Sequence, residues 1–438
     1  MKFYIESLGC AKNQVESEIM MASLISAGLE AAPDAEAADI IIVNSCGFIE
    51  AAKRESINTV IELRRLYPQK KIMLAGCLAL RYADELRESL TEADAVYASL
   101  DSAGIAGQLP VAEKKPETGN RPLLSLPGSA YIKVSDGCDN RCSFCAIPLI
   151  RGSLRSRPVE DAAAECAGFL RRGIKEICLV AQDLAAYGFD IAGKSLLAAL
   201  LARISALDGD FWVRLLYLHP DHFPLDILPA MQNDPRILPY FDIPFQHASE
   251  GILQAMNRRG NAAQYLSLLD KIRAALPQAV FRTTFLTGFP GETDTDFKAL
   301  LDFQRKAEFD WLGVFTYSRE DGTPAALLQN AVPKKTALSR KAALEKTQVP
   351  ITQSKLQKLT GANAAVLIEE EIEGLPSVYK KRESGLLPKK LYTGRLAINA
   401  PEVDGASLIY SESPLGIGEF AHGKITGISG FDIIAECG

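Results

Sequence analysis

Apolar runs of strand length alternate with stretches of helical spacing along the first hundred residues. The runs are Lys2–Ser7, Asp39–Asn44, Lys71–Ala75 and Asp94–Ala98; the helical stretches are Val15–Ala27, Glu50–Leu66 and Leu80–Ser89. This alternation predicts an α/β fold with a parallel, doubly wound sheet over residues 1–100. It stops over 101–130, where Gly, Pro and Ser leave no sustained period and a linker is expected. It resumes over 131–330, with strands expected at Tyr131–Ser135, Glu176–Ala181, Trp212–Leu218, Phe241–Phe245, Phe281–Leu286 and Leu312–Tyr317. Helices such as Val159–Arg172 and Phe297–Ala307 fit between them. Six such units are too few to close an eight-fold barrel, so an open partial (β/α) barrel is predicted. Residues 331–360, rich in Lys, Ala, Leu and Gln, read as a connecting helix. Over 361–438 the pattern becomes short strands between Gly, Pro and Asp turns: Ala364–Ile372, Leu391–Ile398, Ser407–Tyr410, Gly418–Thr426 and Phe431–Ala435. That is the pattern of a small β-barrel.

Composition narrows the class. The chain has 438 residues, 47% hydrophobic and 23% charged, as in soluble globular proteins of roughly three domains. A formal charge of −6 argues against a broad basic surface for nucleic acid. No apolar run reaches the ~18 residues of a membrane span. MKFYIESLGC lacks the basic and apolar regions of a secretory signal. Nine cysteines, an odd number, favour the reducing cytoplasm and metal ligation over disulfides. Residues 361–438 hold seven Lys or Arg against eleven Asp or Glu, whereas a barrel gripping RNA should be basic.

The candidate chemistry centres on Ser135–Pro158, SDGCDNRCSFCAIPLIRGSLRSRP. Cys138, Cys142 and Cys145 stand at CxxxCxxC spacing in a polar loop after an expected strand. Such a loop can offer three thiolates to one face of an iron–sulfur cluster, leaving one iron open for a ligand. Zinc usually takes two separated pairs, and no second pair follows at zinc-ribbon distance.

Cys10, Cys46 and Cys77 each follow an expected strand, in SLGC, VNSC and LAGC, beside Gly9, Gly47 and Gly76. Small residues often fill tight strand-to-helix turns. Three thiols at equivalent ends of one open sheet instead read as a second three-thiolate site, because ligands bind at that edge. Cys166 and Cys178 fall in apolar patterns and read as core residues.

Polar residues crowd the expected strand ends of the partial barrel: Gln182 and Asp183, His219 and Asp221, Gln246 and His247, Thr287 with Gly288, and Ser318 with Arg319. Sites collect at that face, although loops are also polar because they are solvated. GFPGET (Gly288–Thr293) lacks the phosphate-loop pattern and reads as a glycine turn admitting a flat ligand. Arg151, Arg155 and Arg157 can face solvent or an anion, since arginine forks suit carboxylates.

These motifs together resemble the methylthiotransferases of the radical S-adenosylmethionine superfamily. Phe144 fills the aromatic place of the superfamily's cysteine loop, and AIPLIRGSLRSRP narrows the match. SLGCAKNQVESE, NSCGFIEAAKRES and AGCLALRY resemble the N-terminal domain, with Ala11 for the usual proline and Glu16 for aspartate. DIPFQH, MNRRG, TTFLTGFPGET and TYSREDGTPAA resemble further family segments; Asp183-Leu184-Ala185 departs from the frequent aspartate–threonine–threonine. APEVDG resembles the terminal TRAM domain.

The resemblance implies two 4Fe-4S clusters, on Cys138, Cys142 and Cys145 and on Cys10, Cys46 and Cys77. It implies S-adenosylmethionine as the radical source, held with help from Phe144, Gln182, Gln246 and Gly288, and a sulfide or polysulfide on the second cluster. Chemistry would reside in the clusters, with no acid or base side chain assigned. SLGCAKN and IPLIRG resemble the branch that adds methylthio to an aspartate β-carbon of a basic small-subunit ribosomal protein. The tRNA-modifying branch has GCQMN-like and VPYTRG sequences instead. An electron donor such as flavodoxin or ferredoxin is then required. A tRNA methylthiotransferase and a non-enzymatic iron–sulfur RNA-binding protein are the alternatives.

Overall fold

The computed structural model describes residues 1–111, 120–372 and 390–437. Its first part runs β1 (Lys2–Ser7), α1 (Ala11–Ser26), β2 (Glu30–Ala31), β3 (Ile40–Ser45), α2 (Glu50–Leu66), β4 (Lys71–Ala75), α3 (Gly76–Arg81), α4 (Ala83–Ser89) and β5 (Ala95–Val96). The strands pair in parallel in the order β2-β1-β3-β4-β5. Every residue of β3 is buried, because helices cover both faces of the sheet. The helix expected at Leu80–Ser89 is broken at Tyr82, whose extended φ of −129° ends α3 and starts α4. The Tyr82 ring is pinned between Lys53 and Arg81. Beyond this sheet, Ser102–Gln108 form a 3-10 helix. Buried Arg121 joins Glu18 of α1 to Glu165 of the next domain.

The middle of the chain continues as β6 (Ser129–Lys133), β7 (Ser135–Asp136), α5 (Ile147–Arg151), β8 (Arg155–Ser156), α6 (Val159–Arg171), β9 (Glu176–Val180), α7 (Phe189–Ala192), α8 (Leu197–Ser205), β10 (Trp212–Leu215), α9 (Leu228–Asn233), β11 (Ile237–Asp242), α10 (Glu250–Ala255), α11 (Ala262–Ala275), β12 (Val280–Thr287), α12 (Asp294–Ala307) and β13 (Trp311–Thr316). Six strands form a parallel sheet in the order β13-β12-β11-β10-β9-β6, the open partial barrel expected. The strand expected at Phe241–Phe245 lies earlier, at Ile237–Asp242. Pro244 has no N–H to give a ladder, so the apolar residues around it are buried as loop. Outward strand residues such as Ile177, Leu179, Val213 and Leu215 pack with the helices in the largest core, which also holds Cys166.

The inward strand residues make a second core. Tyr131, Cys178, Val180, Trp212 and Tyr240 pack against Ala11 and Val15 of α1 and against the last domain. That domain follows α13 (Lys334–Gln357) and comprises β14 (Asn363–Glu371), β15 (Lys390–Leu396), β16 (Ser407–Ser411), β17 (Phe420–Ser429) and β18 (Asp432–Cys437). The five strands close into a barrel in the order β14-β15-β16-β18-β17. Glu176, fully buried at the start of β9, receives Arg214 at 2.7 Å and Arg395 at 2.6 Å; Arg395 also meets Glu369 at 2.5 Å. Burial pushes the Glu176 carboxyl up, but Arg395 and Arg214 outweigh it and hold it at about 2. The opening of the partial barrel is therefore filled from below by the small barrel and flanked by α1.

Candidate active site

β1, β3 and β4 are neighbours, so the turns after them lie side by side and carry Cys10, Cys46 and Cys77. Asn13, buried in the first turns of α1, ties the three turns together. Its amide donates to the carbonyls of Leu8 at 2.6 Å, Asn44 at 3.0 Å and Ser45 at 3.2 Å, and its oxygen lies 3.9 Å from the Cys77 Sγ. The glycines allow close approach. At Gly9, with φ +94°, a Cβ would lie 3.2 Å from the Cys46 Sγ; at Gly47 one would lie 2.8 Å from the Cys77 backbone. The three thiols are unpaired, exposed at Cys10 and buried at Cys77. Burial pushes the Cys46 thiol up to about 11 and raises that of Cys77. Buried thiols of this kind ionise readily once a bound metal compensates the charge. The donor set therefore fits a cluster.

The second triad lies in a loop closed by β7 pairing with β8. Cys138 donates its N–H to the Gly152 carbonyl at 3.2 Å, and Cys145 to that of Cys142 at 3.0 Å. Ser143 anchors the loop on α10 through the carbonyls of Met256 and Ala255. Burial pushes the Cys138 and Cys145 thiols up to about 12. Phe144 is partly buried among Met256, Leu286 and Phe289, where it seats the loop on the barrel.

The two triads are joined through Arg151. Its guanidinium makes a bidentate pair with Glu16, with one bond of 2.7 Å, and donates to the Cys77 Sγ at 2.9 Å. Lys133 bridges Glu16 at 2.7 Å and Asp136 at 3.1 Å, and Gln182 donates to Asp136 at 2.9 Å. Ala146, adjacent to Cys145, packs with Ile150 against Cys77. Glu320, buried after β13, receives Arg81 at 2.7 Å and Lys53 at 3.0 Å, and Arg81 also reaches the Gly47 carbonyl. The turns bearing Cys46 and Cys77 are thus fixed against the barrel mouth. Of the arginines after the cysteine loop, Arg151 faces a carboxylate, Arg157 pairs with Glu165 and Arg155 is exposed.

The remaining residues singled out from sequence separate. The Gln182 Oε1 is buried with no hydrogen-bond partner among the described residues. Gln246, at φ +67°, bridges to β12 through its backbone. At Gly288 a Cβ would fall 2.4 Å from that of Ala337, so this glycine makes room for α13. Asp183 accepts from Asn140 and His222, each at 2.6 Å, and from the N–H groups of His219 and Ala185. Burial raises the Asp183 carboxyl, but these donors outweigh it and lower it. Asp183 thereby orients Asn140 of the cysteine loop. His247 is buried, its Nδ1 accepting from the Ser249 N–H. Sequence reasoning missed Asn13, Lys133, Arg81 and Glu320 and gave Glu16 no role. Glu16 and Arg151 are 135 residues apart, and no local pattern couples them.

Comparison with known proteins follows the same three parts. Residues 2–98 match the uncharacterized protein family UPF0004, 132–303 the radical SAM superfamily and 360–437 the TRAM domain. The ribosomal protein uS12 methylthiotransferase RimO of Treponema denticola is 42% identical, covering 98% of both chains. RimO of Aquifex aeolicus is 40% identical over 99% of this chain and 96% of its own. The fold is similar to that of the radical S-adenosylmethionine methyltransferase TsrM from Kitasatospora setae, with a TM-score of 0.54 over 74% of each chain at 14% identity. With full-length identity of this order and all three domains present, the chain belongs to the RimO family of radical S-adenosylmethionine methylthiotransferases.

Proposed function

We propose that this protein transfers a methylthio group to the β-carbon of an aspartate in ribosomal protein uS12. The observation that carries the reading is the joining of two thiol triads, on different domains, through the Arg151–Cys77 contact and the packing of Ala146 on Cys77. Cys138, Cys142 and Cys145 would hold the 4Fe-4S cluster that works with S-adenosylmethionine. Cys10, Cys46 and Cys77 would hold a second, carrying sulfide or polysulfide. When bound, these groups supply hydrogen abstraction from an unactivated carbon and the methylthio group that replaces it.

The protein's own contribution is positional. Arg151, Glu16, Lys133 and Asp136 form a buried ionic bridge that fixes one triad relative to the other. Asp183 holds Asn140, and with it the cysteine loop, while Gln182 offers an unpartnered oxygen to S-adenosylmethionine. Phe144 seats the loop, and Gln246 and Gly288 would help hold S-adenosylmethionine. The acidic small barrel suits a basic protein substrate better than RNA, and its Arg395 is buried on Glu176 and Glu369. An electron donor such as flavodoxin or ferredoxin would serve the clusters, and the protein would act in the cytoplasm. No helix among the described residues is long and apolar enough to cross a membrane.

The test is mass spectrometry of a reduced, anaerobic reaction with S-adenosylmethionine, sulfide and either uS12 or tRNA. One methylthio group on a uS12 aspartate is expected. The same gain on tRNA alone overturns the substrate assignment, and 5′-deoxyadenosine released with neither substrate changed overturns the reaction.

A further inference from the structure

Lys12 lies in the first turn of α1, two residues beyond Cys10, and its Nζ rests 3.3 Å from the centroid of the Tyr217 ring. Tyr217 stands just past the C-terminal end of β10, at φ +67°, where its N–H donates to Asp242 at 3.1 Å. The lysine therefore spans from the Cys10 turn to the mouth of the partial barrel, with Cys10 and Asp242 within electrostatic reach.

Its neighbours in charge are already matched. Lys133 and Arg151 are paired with Glu16 and Asp136, Arg81 with Glu320, and Arg282 with Asp242 and Asp404. Arg258 donates to the carbonyls of Pro244 and Phe245. Lys12 differs: among the described residues no carboxylate lies within ion-pair distance of its Nζ, and its neighbour is the face of a phenol. A cation–π contact compensates a partly desolvated ammonium less well than a carboxylate does. A long flexible stem lets that ammonium turn from the ring to an arriving anion.

We propose that Lys12 binds the carboxylate of the substrate aspartate and so selects aspartate over its neutral isosteres. This rests on the aspartate reading above. The carboxylate is bonded to the carbon that receives the methylthio group, so an ion pair to it would fix that carbon between the Cys10 turn and the barrel mouth. Asparagine, of the same shape but without charge, forms no ion pair with the ammonium.

The experiment compares wild-type holoprotein with K12M and K12R, each reconstituted anaerobically and checked for iron content. Each is given uS12 and uS12 in which the modified aspartate, identified by mass spectrometry, is replaced by asparagine. Binding constants are measured for both forms, with KM and kcat for the aspartate form. Wild type should bind the aspartate form about tenfold more tightly, the scale of a charge-assisted hydrogen bond. K12M should bind both forms alike, with raised KM, and K12R should regain most of the discrimination. The proposal is overturned if K12M with full iron keeps the discrimination, or weakens both forms equally. Wild type that modifies tRNA, or a uS12 residue other than aspartate, overturns the substrate reading itself.

Discussion

Replacing Glu176 by glutamine should undock the small barrel from the partial barrel. Glu176 is fully buried and is the shared acceptor of Arg214, Arg395 and the Ser129 hydroxyl. A carboxyl held at about 2 against an ordinary 4.5 contributes about 3 kcal/mol of folding free energy at neutral pH. The cost of removing one partner from a buried ionic group, about 3–5 kcal/mol, is of the same size. The folded value lies below the unfolded one, so the contribution is complete above about pH 4.5 and is lost as the pH falls through about 2. The deficit of the variant should therefore shrink from about 3 kcal/mol at pH 7 to about 1.5 kcal/mol near pH 3. The two tryptophans report the event: Trp212 lies 4.6 Å from Phe420, and the Trp311 indole donates to the Ile398 carbonyl at 2.8 Å. Urea titrations of the apoprotein followed by tryptophan fluorescence at the two pH values give the comparison. A variant within about 0.5 kcal/mol of wild type, or a deficit growing towards acid, would refute the ionic account of docking.

Three further outcomes are expected. C46A and C145A should each keep about half of the reconstituted iron, measured by colorimetric iron and absorbance, since each triad serves its own cluster; full iron in either removes that cysteine from the ligand set. G47A places a methyl 2.8 Å from the Cys77 backbone and should lower apoprotein stability by about 1–3 kcal/mol while sparing the Cys138 loop, as thermal unfolding and iron content of the holoprotein would show. E320Q leaves Arg81 and Lys53 short of a carboxylate and should cost about 3 kcal/mol. Its mark is faster amide exchange in α2 and α3 than in α6; uniform acceleration would show that Glu320 does not act at the domain boundary.

The architecture was legible wherever periodicity and turn chemistry agreed. β1, α2 and β4 begin and end where the apolar pattern predicts, because helix-covered parallel strands are short, unbroken apolar runs. The grouping of six cysteines into two triads was legible because three fall in one loop and three follow adjacent strands. What escaped reading were groups whose partners are far along the chain. Glu16 looks like an ordinary helix-surface charge until Arg151 and Lys133 close on it, and Arg121 looks like linker until Glu18 and Glu165 meet it. Phe245 misled because burial alone imitates a strand; Pro244 decides otherwise.

The filling of the partial barrel from below has a consequence for biogenesis. Strands β14–β18 and their described turns, which cover Tyr131, Cys178, Trp212 and Tyr240, are synthesised after every strand they cover. Until they emerge, the nascent central sheet carries an uncovered aromatic face with Glu176 and Arg214 in its midst. Such a surface invites chaperone capture and aggregation. Chains released early, before β14, should accumulate as chaperone-bound or insoluble species even though every cysteine of both triads has already been made.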